Sequence, residues 1–98
     1  MLRLLGLATR AGAVAPGTER VREAARAGAL HFALLASDAS DNSRQKLVPL
    51  LDARQIPYAV AYRREALGAA VGRAPVSAVG ITEIKLASRV REMLKSSR

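Results

Sequence analysis

The segment PGTERVREAARAG, residues 16–28, joins a Pro-Gly turn to a predicted helix whose first turns carry Glu19, Arg20, Arg22 and Glu23. Glycine at position 17 would let a nucleic-acid backbone approach closely. Amides at a helix start attract phosphate, and polar side chains one turn on can reach base edges. The chemistry that this pattern allows is recognition of nucleic acid.

The same segment has an ordinary explanation as a solvated surface helix. Glu19 with Arg22, and Glu23 with Arg26, are spaced as i, i+3 pairs, each worth only about 0.2–0.5 kcal/mol. Spacing alone favours this second interpretation, so the rest of the chain has to decide between them.

The charge of the chain favours a polyanionic partner. Sixteen Lys and Arg residues against eight Asp and Glu give a formal net charge of +8 over 98 residues. Residues 1–35 carry five basic and two acidic groups, residues 36–62 carry three of each, and residues 63–98 carry eight basic and three acidic groups. Both flanks are therefore basic around a neutral middle, which is typical of nucleic-acid binding.

The sequence offers little for catalysis or for metal binding. It has no cysteine and a single histidine, His31, which opens an apolar strand and is interpreted as structural. Asp38 and Asp41 lie in a polar loop that lacks the glycine and distal glutamate of a calcium loop, so turn formation and capping explain them better. We expect no enzyme activity, no cofactor and no metal.

Residues 1–12, MLRLLGLATRAG, predict a first helix and not a signal peptide, because Thr9 and Arg10 interrupt the apolar run. No stretch approaches the roughly 18 consecutive apolar residues of a membrane span. A reducing cytoplasm and no membrane partner are the expectations that follow.

Apolar spacing and capping signals predict helices alternating with strands in one domain, residues 1–98. The predicted helices cover 2–11, 18–28, about 41–54 and 64–72, with a last helix capped by Thr82; the strands cover 13–15, 31–36, 56–62 and 76–81. Thr18 is expected to cap the second helix, and Pro49 to kink or break the third near residue 48. This order predicts a three-layer α/β/α sandwich around a four-stranded, mostly parallel or mixed sheet.

Further basic residues are weaker candidates for phosphate contacts. Arg63 and Arg64 precede a predicted helix, where cations oppose the helix dipole, so local helix stability does not explain them; a phosphate contact and ordinary solvated arginines are equally good explanations. Arg22 and Arg26 are the other two. The last helix is basic and amphipathic, which fits a membrane surface or an acidic partner, but packing of its apolar face on the sheet is the simpler explanation.

Five segments in order resemble the kink-turn RNA-binding ribosomal-protein superfamily, which includes the archaeal ribosomal protein L-seven-Ae and the eukaryotic L-thirty-e. They are GTERVREAARAG, LLASDAS, IPY, LGAAVG and VSAVGI. LGLATRAGAV and LLASDAS are also similar to a small bacterial branch of that superfamily. The resemblance covers roughly residues 4–95 and implies the same α/β/α sandwich.

The resemblance also implies an RNA site. In the family, the turn and the start of the second helix enter the bent major groove of a kink-turn. Gly17 and Thr18 keep the family residues, whereas Glu19, Arg20 and Glu23 replace an amide, an acid and a cation. Glutamate can still accept a base amino proton, and arginine can read guanine. A second family contact presents apolar atoms to a flipped-out nucleotide, and Arg73, Ala74, Pro75 and Val76 occupy that loop here.

Two hypotheses of function remain open. The first is a noncatalytic protein that binds structured, kink-turn-like RNA, associated with ribosomal RNA and with ribosomal or assembly proteins. The second is a protein-interaction or ribosome-assembly module that kept the fold but lost kink-turn specificity, as the residues at 19, 20 and 23 would allow. A small hydrolase or transferase would need a pocket of convergent titratable groups, which the sequence does not display.

Overall fold

The computed structural model describes residues 1–96, and in this part of the chain five helices alternate with four strands. The helices are α1 (Leu2–Arg10), α2 (Thr18–Arg26), α3 (Asp41–Ala53), α4 (Arg64–Ala70) and α5 (Ile84–Ser96); the strands are β1 (Val14–Pro16), β2 (Phe32–Leu35), β3 (Tyr58–Val60) and β4 (Ala78–Ile81). The predicted order of elements is confirmed. None of the helices in residues 1–96 is long and apolar enough to cross a membrane.

The four strands form one mixed sheet in the order β1-β4-β2-β3. β2 and β3 are parallel, and β4 runs antiparallel to both β1 and β2. Consequently β1, β2 and β3 all end at the edge of the sheet where β4 begins. We call this the carboxyl edge. It collects the loops that lead into α2, α3 and α4 and the loop that precedes β4.

Side chains of β2 alternate between the two faces of the sheet, as expected for a strand buried on both sides. Phe32 and Leu34 pack with buried residues of α1, α4 and α5, whereas Ala33 and Leu35 pack with buried residues of α2 and α3. Burying each leucine or valine at such positions contributes about 1.5–3 kcal/mol. The result is the three-layer α/β/α sandwich that the sequence predicts.

Thr18 does not cap α2, contrary to the sequence prediction. Gly17 is the residue that precedes the helix, and no side chain caps it. The Thr18 hydroxyl instead donates a hydrogen bond to Ser43 of α3. The Thr18 hydroxyl, which the local sequence predicts to cap α2, is therefore bonded to a residue of the neighbouring helix α3 instead.

The helix predicted to kink or break at Pro49 runs without a break from Asp41 to Ala53. Proline removes the amide that would bond to the carbonyl of Gln45, but both residues are exposed, so water can serve that carbonyl. The buried contacts of Leu47 and Leu51 hold the helix on the sheet on either side of Pro49.

Thr82 does not cap α5 either. The carboxylate of Glu83 accepts a hydrogen bond from the Leu86 amide at 2.7 Å, and the Glu83 carbonyl accepts one from Ala87. The amide of Thr82 donates to the Ala13 carbonyl, extending the β1/β4 pairing by one residue. Because Thr82 still follows the sheet, the helix begins after Glu83.

Candidate nucleic-acid interface

Gly17 sets the position of the start of α2. Its backbone has φ +94° and ψ 158°, a conformation that essentially only glycine adopts. Its amide donates to the Ala78 carbonyl at 2.8 Å, and its carbonyl accepts the first helical bond from Val21. The turn is thus attached to the first residue of β4 while the helix begins one residue later.

The loop of residues 73–76 lies directly before β4. The Arg73 amide donates to the Gly68 carbonyl of α4 at 2.8 Å, and the Val76 amide donates to the Arg64 carbonyl at 3.2 Å. Residues 73–75 are exposed, whereas Val76 is half-buried and packs against the core. Two backbone bonds therefore fix a short exposed loop on α4.

A close backbone approach at Gly68 makes this arrangement possible. A Cβ atom added to Gly68 would lie 2.8 Å from the Ala74 carbonyl carbon and 2.9 Å from the Pro75 Cα, and would contact the Ala74 oxygen as well. No residue other than glycine fits there without a backbone shift.

The two predicted segments, the start of α2 and the 73–76 loop, are neighbours at the carboxyl edge. On one side, the Gly17 amide donates to the carbonyl of Ala78, the first residue of the strand that follows the 73–76 loop. On the other side, the Ala36 amide donates to the Ser77 carbonyl, which brings in the loop after β2. Backbone groups alone thus connect three loops into one surface.

The carboxylate of Glu19 lies among cations. Arg22 Nη1 donates to both of its oxygens at 3.1 Å, and Lys46 Nζ of α3 lies 3.6 Å from Oε1. The hydrogen bond from Arg22 is the main cause that lowers the pKa of Glu19, with further lowering by the charges of Arg22 and Lys46. The negative charge at the helix start is therefore offset by two neighbouring cations.

The remaining predicted residues of α2 are exposed. Neither Arg20 nor Glu23 makes a side-chain hydrogen bond or ion pair with any other residue in the described range, so the expected pair of Glu23 with Arg26 does not form. Arg20 follows Glu19 directly and presents its guanidinium to solvent beside the helix start. It is the most available donor at the tip of α2.

Asp38 explains why Arg63 and Arg64 can occupy a helix start. Its Oδ1 accepts the Arg64 amide at 2.7 Å, and its Oδ2 lies 3.6 Å from Arg63 Nη2 and from Arg64 Nε. The carboxylate supplies the negative charge that the dipole of α4 favours. These arginines thus have a partner outside their own helix, in the loop after β2.

The bond from the Arg64 amide is the main cause that lowers the pKa of Asp38, and the charges of Arg63 and Arg64 lower it further. A lowered carboxyl pKa stabilises the fold above the ordinary Asp value, and this contribution is lost as the pH falls through the lowered pKa. We expect Asp38→Asn to lower the thermal midpoint by a few degrees at pH 7, and the two midpoints to converge only as the pH falls below the ordinary Asp pKa and through the lowered one. Parallel curves from pH 7 to the acid limit would contradict the assignment.

Three residues of the α3 start join the surface although the sequence analysis gave them no role. Ser40 caps α3 by accepting the Ser43 amide at 3.1 Å, and Ser43 accepts the Thr18 hydroxyl at 3.2 Å. Lys46 follows one turn later, beside Glu19. The signal for them was the polar loop after a buried strand, because such loops open onto the carboxyl edge of the sheet.

Within residues 1–96 no cluster of three or more His, Cys, Asp or Glu side chains could hold a metal ion. The surface instead combines backbone amides, hydroxyls and guanidinium groups. Such groups bind phosphate oxygens and base edges.

Comparison with known proteins shows one family and one fold. The model of the ribosomal protein L7Ae/L30e/S12e/Gadd45 family matches residues 1–90. The RNA-binding protein YlxQ of Bacillus subtilis (strain 168) is 31% identical over 91 residues, which are 93% of this chain and 91% of that protein.

Two solved structures superpose over nearly the whole chain. A protein with unknown function from Bacillus halodurans C has a TM-score of 0.89 and 31% identity, covering 96% of this chain and 95% of its own. The Giardia lamblia 15.5kD RNA binding protein has a TM-score of 0.79 and 17% identity, covering 97% and 84%. At that identity the second match supports the fold alone.

Proposed function

The chain belongs to the ribosomal protein L7Ae/L30e/S12e/Gadd45 family, and from this membership we propose that it is a noncatalytic protein that binds structured RNA at the carboxyl edge. One observation carries the proposal: the Gly17 amide at the start of α2 donates to the carbonyl of Ala78, the first residue of the strand into which the 73–76 loop leads. A folded RNA that presents a bent backbone beside an unstacked base meets both segments at once.

The two segments offer different contacts. A helix start leaves its first amides without intrahelical partners, and these amides together with the helix dipole favour a phosphate at the tip of α2. Arg20 is placed to donate to the O6 and N7 atoms of guanine, and Glu19 to accept from a base amino group. The pairing of Glu19 with Arg22 and Lys46 reduces the repulsion between its carboxylate and the RNA backbone.

The 73–76 loop is suited to a splayed nucleotide. Ala74 and Pro75 expose apolar atoms, and Arg73 adds a guanidinium that can stack on a base or pair with phosphate. Its attachment to Gly68 and Arg64 orders the loop before RNA arrives, which lowers the entropic cost of binding.

The finer part of the proposal concerns which RNA is bound and where. We propose that the RNA ligand is a kink-turn-like element of ribosomal RNA and that binding takes place in the cytoplasm, with residues 1–98 acting as one RNA-binding domain. Glu23 and the arginines at 22, 26, 63 and 64 are secondary contacts. The high net charge of +8 supports an affinity that depends strongly on salt.

The variant Arg20→Ala tests the proposal by comparing the loss of affinity for a kinked RNA with the loss for a straight duplex. A lost bidentate contact to guanine costs about 1–3 kcal/mol, so we expect about a 5- to 150-fold loss of affinity for a kinked RNA and a much smaller loss for a plain duplex. Fluorescence anisotropy titrations of both RNAs, at several salt concentrations, measure the difference.

Arg26→Ala is the matched control, because Arg26 is also an exposed arginine of α2 but lies at its far end. This variant is expected to lower the affinity for both RNAs by the same small factor. Equal losses on both RNAs with Arg20→Ala would reject a specific role for Arg20. If the chain instead captured a single protein from cells after nuclease treatment, and bound no RNA, the protein-interaction hypothesis would be favoured over RNA binding.

A further inference from the structure

A hollow of about 230 Å³ lies at the edge of the sheet opposite the carboxyl edge. Phe32 and Tyr58, the first residues of β2 and β3, line it together with Ala59, while Arg91 and Lys95 of α5 line its other side. Because β3 is the last strand of the sheet and Ala59 is small, the space beside α5 is left open. The hollow therefore belongs to a surface that the α2 tip does not reach.

The charge of this hollow suits an anion. Arg91 and Lys95 are exposed and one helical turn apart, so both cations can reach the same group. An adjoining hollow shares these two residues and adds Ser88 and Glu92. The two hollows together carry two cations and one carboxylate, and thus remain positive.

The lining also suits a planar ring. The space is several times the roughly 30 Å³ that one water molecule occupies in the liquid. Its inner side is formed by the buried Phe32 and the half-buried Tyr58 and Ala59. An apolar recess rimmed by a guanidinium and an ammonium matches a nucleotide, because the base can enter the recess while the phosphate pairs with the two cations.

We propose that this hollow is a second RNA-contact surface, which holds one unpaired nucleotide of a single strand with its phosphate on Arg91 and Lys95. The inference rests on RNA as the class of partner but not on the site at the carboxyl edge. Two surfaces at opposite edges of the sheet let one protein molecule hold two RNA segments at once.

A labelled oligouridine of about eight nucleotides is the probe, because it is single-stranded and cannot form a kinked duplex. We expect R91A/K95A to weaken its binding about tenfold at moderate salt and to reduce the salt dependence, since two phosphate contacts are removed. K85A/R89A removes the same charge at the same spacing from exposed positions of α5 that do not line the hollow, and is expected to weaken binding by about twofold or less.

Arg20→Ala separates this surface from the carboxyl edge, and should leave oligouridine binding unchanged while weakening a kinked RNA. Three results would overturn the inference: no binding of oligouridine by the wild-type chain, equal losses in R91A/K95A and K85A/R89A, or displacement by a polyglutamate peptide as readily as by unlabelled RNA. Failure of the wild-type chain to bind kinked RNA, while it still binds oligouridine, would count against the proposed function and not against this surface.

Discussion

Replacing Gly68 by alanine is expected to destabilise the protein by about 1–3 kcal/mol, as overpacking of a tight contact does. The added methyl would contact the Ala74 oxygen and lie 2.8 Å from the Ala74 carbonyl carbon and 2.9 Å from the Pro75 Cα. These are backbone atoms, which cannot rotate away as a side chain can. Denaturant unfolding followed by circular dichroism measures the loss.

Gly6→Ala is the matched control because Gly6 is also a helical glycine, in α1. Its added Cβ would meet only the Ala70 oxygen, at 3.4 Å, an ordinary contact. Alanine is favoured over glycine inside a helix by up to about 1 kcal/mol, so this variant should be neutral or more stable. The same substitution in the same kind of element is thus expected to lower the free energy of unfolding at Gly68 and to leave it unchanged or raise it at Gly6. A Gly68→Ala variant as stable as Gly6→Ala would show that the loop is not fixed by this contact.

The effect on RNA follows from the geometry of the loop. The two amides of Arg73 and Val76 hold the loop on α4, and a shifted backbone at Ala74 and Pro75 weakens both bonds. We therefore expect Gly68→Ala to lose affinity for kinked RNA even at a temperature where it is fully folded.

The order of the elements was predictable from the sequence because each carries its own signal. β2 is a continuous apolar run, FALL, buried on both faces, and α2 repeats small apolar residues at helical spacing up to Ala25. The pairing of strands was not predictable, since nothing within β4 states that it inserts between β1 and β2 in the opposite direction. That insertion decides which loops meet at the carboxyl edge.

The sequence pointed to the segments of the candidate site but not to the contacts between them. The Pro-Gly turn at residues 16–17 pointed to the start of α2, and the resemblance added the 73–76 loop. The pairing of Asp38 with Arg63 and Arg64, and of Glu19 with Lys46, joins residues more than twenty positions apart. Propensity and spacing cannot reveal such contacts, because they arise from the fold and not from any one segment.

Gly17→Ala is expected to have the largest effect on RNA binding of any single methyl added to this chain. At φ +94° and ψ 158° a side chain costs about 1–3 kcal/mol, and the turn relieves that strain by moving. The bond from its amide to Ala78 then lengthens or breaks, so the α2 start and the 73–76 loop no longer present one surface. We expect about tenfold or greater loss of affinity for kinked RNA in the anisotropy titration.

Gly28→Ala distinguishes this positional effect from a mere loss of stability. Gly28 follows the other end of the same helix, also has a positive φ, of +73°, and like Gly17 has no atom within 4 Å of an added Cβ. Its backbone strain should cost about 1 kcal/mol, while the surface at the carboxyl edge stays intact. RNA affinity should therefore fall in Gly17→Ala and remain within about twofold of wild type in Gly28→Ala. Similar affinities in the two variants would mean that binding depends on backbone strain at a glycine and not on the position of the α2 tip. That result would contradict the assignment of the carboxyl edge as the RNA site.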